Sequence, residues 1–250
     1  MRQCSSLAGV LFLATALAFS AEEVREEFHK TYPLAATGRV SLSNVNGSVR
    51  VSAWDREEVK VDAIKRARSD EALKEAEIVV DARADSIDIR TRYPEHRNRH
   101  DDGASVDYTI TVPRRARLDE IKTVNGNVEI EGVSGEIRAG SVNGAVRGLR
   151  LIGEVGFSTV NGRVEAEFER LEGKFISLKS VNGTVIIRLP QNAGMRLSAG
   201  TVHGEIESDF DLPVRRIRFG PSRDVETVLG GGGADVTLRT VNGSIRLQKQ

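Results

Sequence analysis

Apolar and polar residues alternate with a period of two through most of this chain, in short runs broken by glycine-bearing turns. Val59-Lys60-Val61-Asp62-Ala63-Ile64, Ile78-Val79-Val80, Ile87-Asp88-Ile89 and Val106-Asp107-Tyr108-Thr109-Ile110-Thr111-Val112 read as strands, because successive strand side chains point to opposite faces. A short helix is expected from Asp70 to Glu77, capped by Ser69 or Asp70. The pattern predicts an all-β fold.

Superimposed on the alternation is a repeat. Val-Asn-Gly or a close copy occurs seven times, placing Asn46, Asn125, Asn143, Asn161, Asn182, His203 and Asn242 before a glycine. From Asn125 the steps are eighteen, eighteen, twenty-one, twenty-one and thirty-nine residues, the last close to two periods with an unmarked unit near residues 217–235. Self-similarity at this period indicates stacked units sharing one core. The third residue after the Asn or His is always Val or Ile: Val49, Val128, Val146, Val164, Val185, Ile206 and Ile245. The residue before it is always Val: Val45, Val124, Val142, Val160, Val181, Val202 and Val241. Both columns are expected to be core, since strand positions four apart share a face. The fifth residue after the Asn is looser, with Ile130, Gly148, Ala166 and Ile187. The fourth should face outward, and Glu129, Arg147 and Glu165 alternate in sign as stacked parallel rungs would favour.

Asn-Gly marks a tight turn, because both residues tolerate positive φ. Between strands it usually means a hairpin, which makes an antiparallel meander or sandwich the rival architecture. A second glycine break falls in each unit, at Gly135, Gly153, Gly173 and Gly194. Recurrence of the same side-chain types at the same position favours stacking, and the expected fold is a single-stranded parallel β-solenoid, β-helix-like, with an N-terminal β-rich cap. On this reading residues 1–20 are a signal peptide, 21–120 hold an N-terminal strand and the cap, and 121–250 form the repeat series. A cap is needed because an open stack exposes unpaired backbone groups and an apolar end.

The leader is read from Arg2, the apolar run Leu7 to Phe19, and small residues at Ala16, Ala18 and Ser20. Its apolar run is shorter than the roughly 20 residues of a membrane span. Cys4 is the only cysteine and precedes that run, which excludes disulfides, thiolate metal sites and a lipid-attachment cysteine from the processed chain. Basic and acidic residues balance at 36 each, and aromatics are few, so neither charge nor stacking argues for nucleic acid.

Val45-Asn46-Gly47-Ser48-Val49-Arg50-Val51 with Trp54-Asp55, the strand ending Val112-Pro113, the ordered Val-Asn-Gly units, and Gly230-Gly231-Gly232-Gly233 before Thr240-Val241-Asn242-Gly243-Ser244-Ile245 together resemble the bacterial putative-adhesin family of β-strand-repeat domains. The resemblance spans roughly residues 35 to 250. It implies a β-solenoid and an exported or envelope location, and it transfers no catalytic residues. His203 in the Asn column and the unmarked unit are departures from it.

Three clusters invite chemistry. Glu95-His96-Arg97-Asn98-Arg99-His100-Asp101-Asp102 places two His four apart among carboxylates, but without the periodicity of a rigid element it reads as a solvated cap loop. Gly230 to Asp235 matches one copy of a calcium-binding Gly-Gly-x-Gly-x-Asp repeat, which needs consecutive copies, and reads as a surface loop. His203 reads as a turn substitution, since His and Asn both tolerate positive φ. Nucleophile and phosphate-loop motifs are missing, so no catalytic, cofactor-binding or metal-ligating residues are expected. The expected function is an exported, non-enzymatic, adhesin-like binding or scaffold protein of the cell envelope, periplasmic or secreted, with an envelope or extracellular protein or glycan as partner. A polysaccharide-acting β-helix enzyme and an end-to-end assembling structural protein are the alternatives. Recognition is expected in the variable outward positions, the His-rich loop and the unmarked unit.

Overall fold

The computed structural model describes residues 23–94, 103–172, 174–212, 215–216 and 223–250, with backbone alone for 215–216. Residues 1–20, read from sequence as a signal peptide, the Glu95–Asp102 cluster and Gly173 lie outside the described residues. β1 (Val24–Pro33), β2 (Arg39–Ser43), β3 (Val49–Trp54) and β4 (Glu58–Ala67) precede α1 (Asp70–Glu75), and β5 (Glu77–Ala82), β6 (Ser86–Arg92) and β7 (Ser105–Pro113) follow it. The repeats then give β8 (Arg117–Asn125) with β9 (Val128–Glu131), β10 (Ile137–Asn143) with β11 (Val146–Leu151), and β12 (Val155–Asn161) with β13 (Val164–Phe168). They continue as β14 (Phe175–Asn182) with β15 (Val185–Leu189), and β16 (Met195–His203) with β17 (Ile206–Ser208). β18 (Arg215–Arg216) and β19 (Arg223–Leu229) intervene before β20 (Ala234–Asn242) and β21 (Ile245–Lys249). All four strands read from alternation are present, and Ser69 caps α1 by accepting from the Ala72 amide.

Two large sheets face each other. Sheet A runs β1-β4-β7-β3-β9-β11-β13-β15-β21-β17, and sheet B runs β18-β19-β16-β20-β14-β12-β10-β8-β2-β6-β5. Each repeat therefore contributes two strands, one to each sheet, with Asn-Gly at the corner between them. The meander is excluded, because repeats pair in parallel with other repeats: Asn143 lies opposite Asn125 and Asn161, and Val146 opposite Val128 and Val164. A purely parallel stack is not what forms either, since both sheets are mixed. At one end β4 pairs antiparallel with β1 and β7, and β5 with β6; at the other β19 pairs antiparallel with β16 and β18.

The core lies between the sheets. Ile137, Val155, Phe157, Ile176, Leu178, Val236 and Leu238 of sheet B are buried against Val128, Ile130, Val146, Val164, Val185, Ile187 and Ile245 of sheet A. The loose fifth position is fully buried, and its small members are matched by large neighbours. A Cβ at Gly148 would lie 2.7 Å from Phe157 Cε2, so the ring occupies the volume that a side chain there would take.

Two expectations fail for definite reasons. The valines before the Asn are not core: all seven are between 37 % and 40 % exposed. Positions two or four apart share a face only along one strand, and the Asn-Gly corner passes the chain between sheets, resetting the alternation. The unmarked unit is not a rung. β19 runs antiparallel to β16, and the thirty-nine-residue step returns β20 into sheet B between β14 and β16.

Candidate ligand-binding face

The reset alternation turns one valine per repeat toward solvent on the outer face of sheet B. In spatial order the row is Val45, Val124, Val142, Val160, Val181, Val241 and Val202, following the register of the strands. With neighbouring strands about 4.8 Å apart, its six steps give an apolar strip about 29 Å long and one side chain wide.

Interactions on both sides hold the strip straight. Next to it the motif asparagines form a ladder: Asn125 Nδ2 donates to Asn46 Oδ1 at 2.9 Å, Asn143 to Asn125 at 2.9 Å, Asn161 to Asn143 at 2.9 Å, Asn182 to Asn161 at 2.9 Å, and Asn242 to Asn182 at 2.8 Å. His203 stands opposite Asn242 in the last position of this column. It is not in the left-handed region, where Arg150 is the only described non-glycine residue, so the positive-φ explanation of the substitution fails.

Beneath the corner, a buried hydroxyl two residues before each Asn ties one rung to the next. Thr123 donates to the Gly47 carbonyl at 3.0 Å, Ser141 to Gly126 at 2.8 Å, Thr159 to Gly144 at 2.8 Å, Ser180 to Gly162 at 3.0 Å, Thr240 to Gly183 at 2.9 Å and Thr201 to Gly243 at 2.8 Å. In the first rung Asn44 takes this role, its Nδ2 reaching the Val106 carbonyl at 2.8 Å and the Gly47 carbonyl at 3.2 Å. Asn44 also accepts from Thr91, whose hydroxyl lies 2.7 Å from that of Tyr108. Burial pushes the Tyr108 phenol up to about 12, so it serves as a neutral hydrogen-bonding group.

The valines form one wall of a groove. Its floor is the column two residues earlier, Ser43, Lys122, Gly140, Ser158, Lys179, Arg239 and Gly200, each in register with the next. A section of about 840 Å³ runs from Ser41 and Val45 past Gly140 and Gly156 to Lys179, and a second of about 620 Å³ runs from Ser158 and Lys179 past Val181 and Val241 to Gly200 and Asp224. Ser141, Ser158 and Lys179 line both, which makes them one continuous feature. Lys122 pairs with Glu120 at 3.0 Å, and Arg239 with Asp224 at 3.5 Å and the Ser198 hydroxyl at 2.8 Å. The Lys179 ammonium has no ion-pair or hydrogen-bond partner among the described residues.

The other sequence candidates lie elsewhere. Glu129, Arg147 and Glu165 stack on the outer face of sheet A, with Arg50 3.4 Å from Glu129 and Arg147 3.7 Å from Glu165. The His96 and His100 cluster lies outside the described residues. Gly230 to Gly233 form a turn of positive-φ residues, and Asp235 is held by Arg196 at 2.6 Å, the hydrogen bond that also lowers its pKa. Among the described residues, no three His, Cys, Asp or Glu side chains converge as metal ligands, and no helix is long and apolar enough to cross a membrane. The unmarked stretch does reach the groove, through Asp224. Sequence reasoning missed the valine strip because it placed those residues in the core, and missed the hydroxyl column although Ser or Thr precedes the Val in six of the seven copies.

No family model and no curated protein matches the sequence. Solved structures do match. A putative cell adhesion protein from Clostridium sporogenes aligns over 91 % of this chain and 100 % of its own, at 13 % identity and a TM-score of 0.53. A putative adhesin from Bacteroides fragilis aligns over 90 % and 97 %, at 10 % identity and a TM-score of 0.39. A putative adhesin from Parabacteroides merdae aligns over 90 % and 96 %, at 8 % identity and a TM-score of 0.38. In fold, this chain resembles the putative cell adhesion protein from Clostridium sporogenes over 91 % of its length.

Proposed function

We propose that this is an exported, non-enzymatic, adhesin-like binding protein of the cell envelope, and that the outer face of sheet B is its recognition surface. The observation that carries the reading is the row of seven half-exposed valines, held in register by the asparagine ladder and the buried hydroxyls. A contiguous apolar strip on a water-facing sheet marks an interaction surface. The carboxylates lining the groove beside it, Asp119, Glu120 and Asp224, stand against Arg117, Lys122 and Arg239 as ion pairs, which supports binding over turnover. The likeness in fold to a putative cell adhesion protein supports the same reading. Residues 1–20 serve as the export signal, residues 21–120 cap the stack, and the 121–250 repeats act as the solenoid that presents the face. The partner is an envelope or extracellular component.

The test uses fluorescent protein incubated with intact bacterial envelopes. Val142→Thr, Val160→Thr and Val181→Thr are combined, because Thr keeps the β-branched shape and strand preference while making the strip polar. The triple variant should keep its melting temperature within a few degrees and lose at least tenfold in envelope binding. Undiminished binding by a folded triple variant overturns the assignment of this face.

A further inference from the structure

We infer that the groove takes a single extended acyl chain ending in a carboxylate, with the chain along the valine strip and the headgroup at Lys179. The inference rests on the proposal that the outer face of sheet B is the binding surface, and it names the chemistry that this surface recognises.

Shape is the first argument. The strip is long and only one side chain wide, whereas a stable protein partner needs a patch of roughly 800 Å² on each side. A linear hydrocarbon fits a linear row. Between Lys179 and Val45 lie four strand steps, about 19 Å of continuous apolar wall. The sole aromatic residue in either groove section is Phe157, and its ring is buried in the core. A sugar chain would therefore find no stacking surface here.

The floor gives the second argument. Gly156 is the second residue of β12, on the groove side, outside the left-handed region. A Cβ there would meet nothing closer than Arg138 Cγ at 3.8 Å. Neither backbone conformation nor packing demands a glycine, unlike the corner glycines. A glycine inside a strand with open space above it marks close approach by something else. With Ser158 and Gly140 it lines the first groove section, where small residues keep the floor low between the flanking Arg138 and Lys122.

Charge completes the case. Lys179 stands where the two groove sections meet, next to Arg239 in register, and its ammonium is unpaired among the described residues. One unpaired cation at the junction of the two sections complements one anion at the end of an apolar chain laid along the first section. Lys122, further along the trough, is neutralised by Glu120.

The experiment titrates the full chain with sodium hexadecanoate below its micellar concentration, following binding by calorimetry and stoichiometry by native mass spectrometry. Sodium butyrate and hexadecyltrimethylammonium supply the anion without the chain and the chain without the anion. Saturable binding of one hexadecanoate is expected, with both comparators at least tenfold weaker. Lys179→Gln should weaken hexadecanoate about tenfold and leave the cationic amphiphile unchanged. Gly156→Val, which suits a strand, should block the trough and abolish binding while the melting temperature holds. Absence of saturable binding, equal affinity for the cationic amphiphile, or indifference to both Lys179→Gln and Gly156→Val overturns the inference. If hexadecanoate fails while the valine triple variant still loses envelope binding, the face is right and the ligand wrong. If envelope binding is also untouched, the face itself is wrong.

Discussion

Replacing Gly162 by alanine tests why the motif contains glycine. The sequence suggests a need for positive φ, but Gly162, like Gly126, Gly144, Gly183, Gly204 and Gly243, does not adopt it. What it does is stack on the glycine of the neighbouring rung. A Cβ at position 162 would overlap the Gly144 carbonyl, lying 2.6 Å from its carbon where an ordinary contact begins at 3.4 Å. Backbone cannot swing aside as a side chain can. Accommodation means parting the rungs where Gly144 N donates to Asn161 O at 3.0 Å, Val146 N to Arg163 O at 2.9 Å, and Thr159 Oγ1 to Gly144 O at 2.8 Å. Overpacking costs about 1–3 kcal/mol. Weakening two or three hydrogen bonds at about 1 kcal/mol each brings the loss to roughly 3–6 kcal/mol. For a chain of this size that is a fall of roughly 10 °C in melting temperature.

Two other glycines separate the possible causes. Gly156→Ala meets only ordinary contacts, and its stability should stay within about 1 kcal/mol of the parent. Gly231 has φ +78 and nothing within 4 Å, so Ala there should cost about 1 kcal/mol and Asn less, the signature of a purely conformational glycine. Urea unfolding of the three alanine variants, with m-values compared, measures all of this. If Gly162→Ala loses no more than Gly231→Ala, close stacking is not the reason for the motif.

Thr159→Val keeps the side-chain shape and removes the hydroxyl that donates to the buried Gly144 carbonyl, so it should cost about 1–2 kcal/mol in urea unfolding; a neutral result would show that the hydroxyl column does not hold the corner. On the exposed face of β1, His29 lies 2.7 Å from Asp62 and 3.2 Å from Glu27, and the hydrogen bonds to Asp62 and then Glu27 raise its pKa above 6.5. A raised folded-state value means that its contribution is complete below the unfolded pKa and fades as pH rises through the folded one. A proton NMR titration should place the His29 midpoint above 6.5 and find it lowered in Asp62→Asn; an unshifted midpoint in the parent contradicts the pairing.

Much of the architecture is legible in the sequence because alternation is a local property. β4 to β7 and α1 follow directly from it, and so does the buried Val and Ile column after the turn. The opposed charges of Arg147 and Glu165 also follow, since parallel stacking puts equivalent positions side by side. The candidate site is less legible. Val160 and Val164 are four apart and chemically identical, yet one faces water and the other the core, because the corner between them belongs to neither strand. Only the hydroxyl residue before the valine carries a hint. Thr159 reads as an outward polar position if Val160 is inward, and as a buried donor if Val160 is outward; the recurrence of Ser or Thr in that column favours a specific bond over random solvent-facing chemistry.

The order of the last rungs was beyond any local signal. Asn182 and His203 are separated by the same twenty-one residues as the preceding pair, which by itself would set β16 beside β14. Instead β20 lies between them, with Leu238 opposite both Leu178 and Ala199, and Ser177 and Ser198 each facing Thr237. The crossing that permits this passes the Gly230–Gly233 turn over Gly194, whose added Cβ would overlap the Gly232 carbonyl. Pairing of β16 with β14 closes a shorter loop and should form more readily whenever β20 is missing. The Ser177→Cys and Ser198→Cys pair tests this, because the only native cysteine is Cys4, far from both in sequence. In the full chain the two positions are two strand steps apart, roughly 10 Å, beyond the roughly 7 Å that a disulfide spans. In a chain ending at residue 212 they should become adjacent at about 4.8 Å and oxidise to a disulfide. A bridge in the full chain would contradict the inserted order. A folded truncated chain that forms none would show that the end of the sequence does not displace a local pairing but supplies a neighbour without which β16 has no place in the sheet.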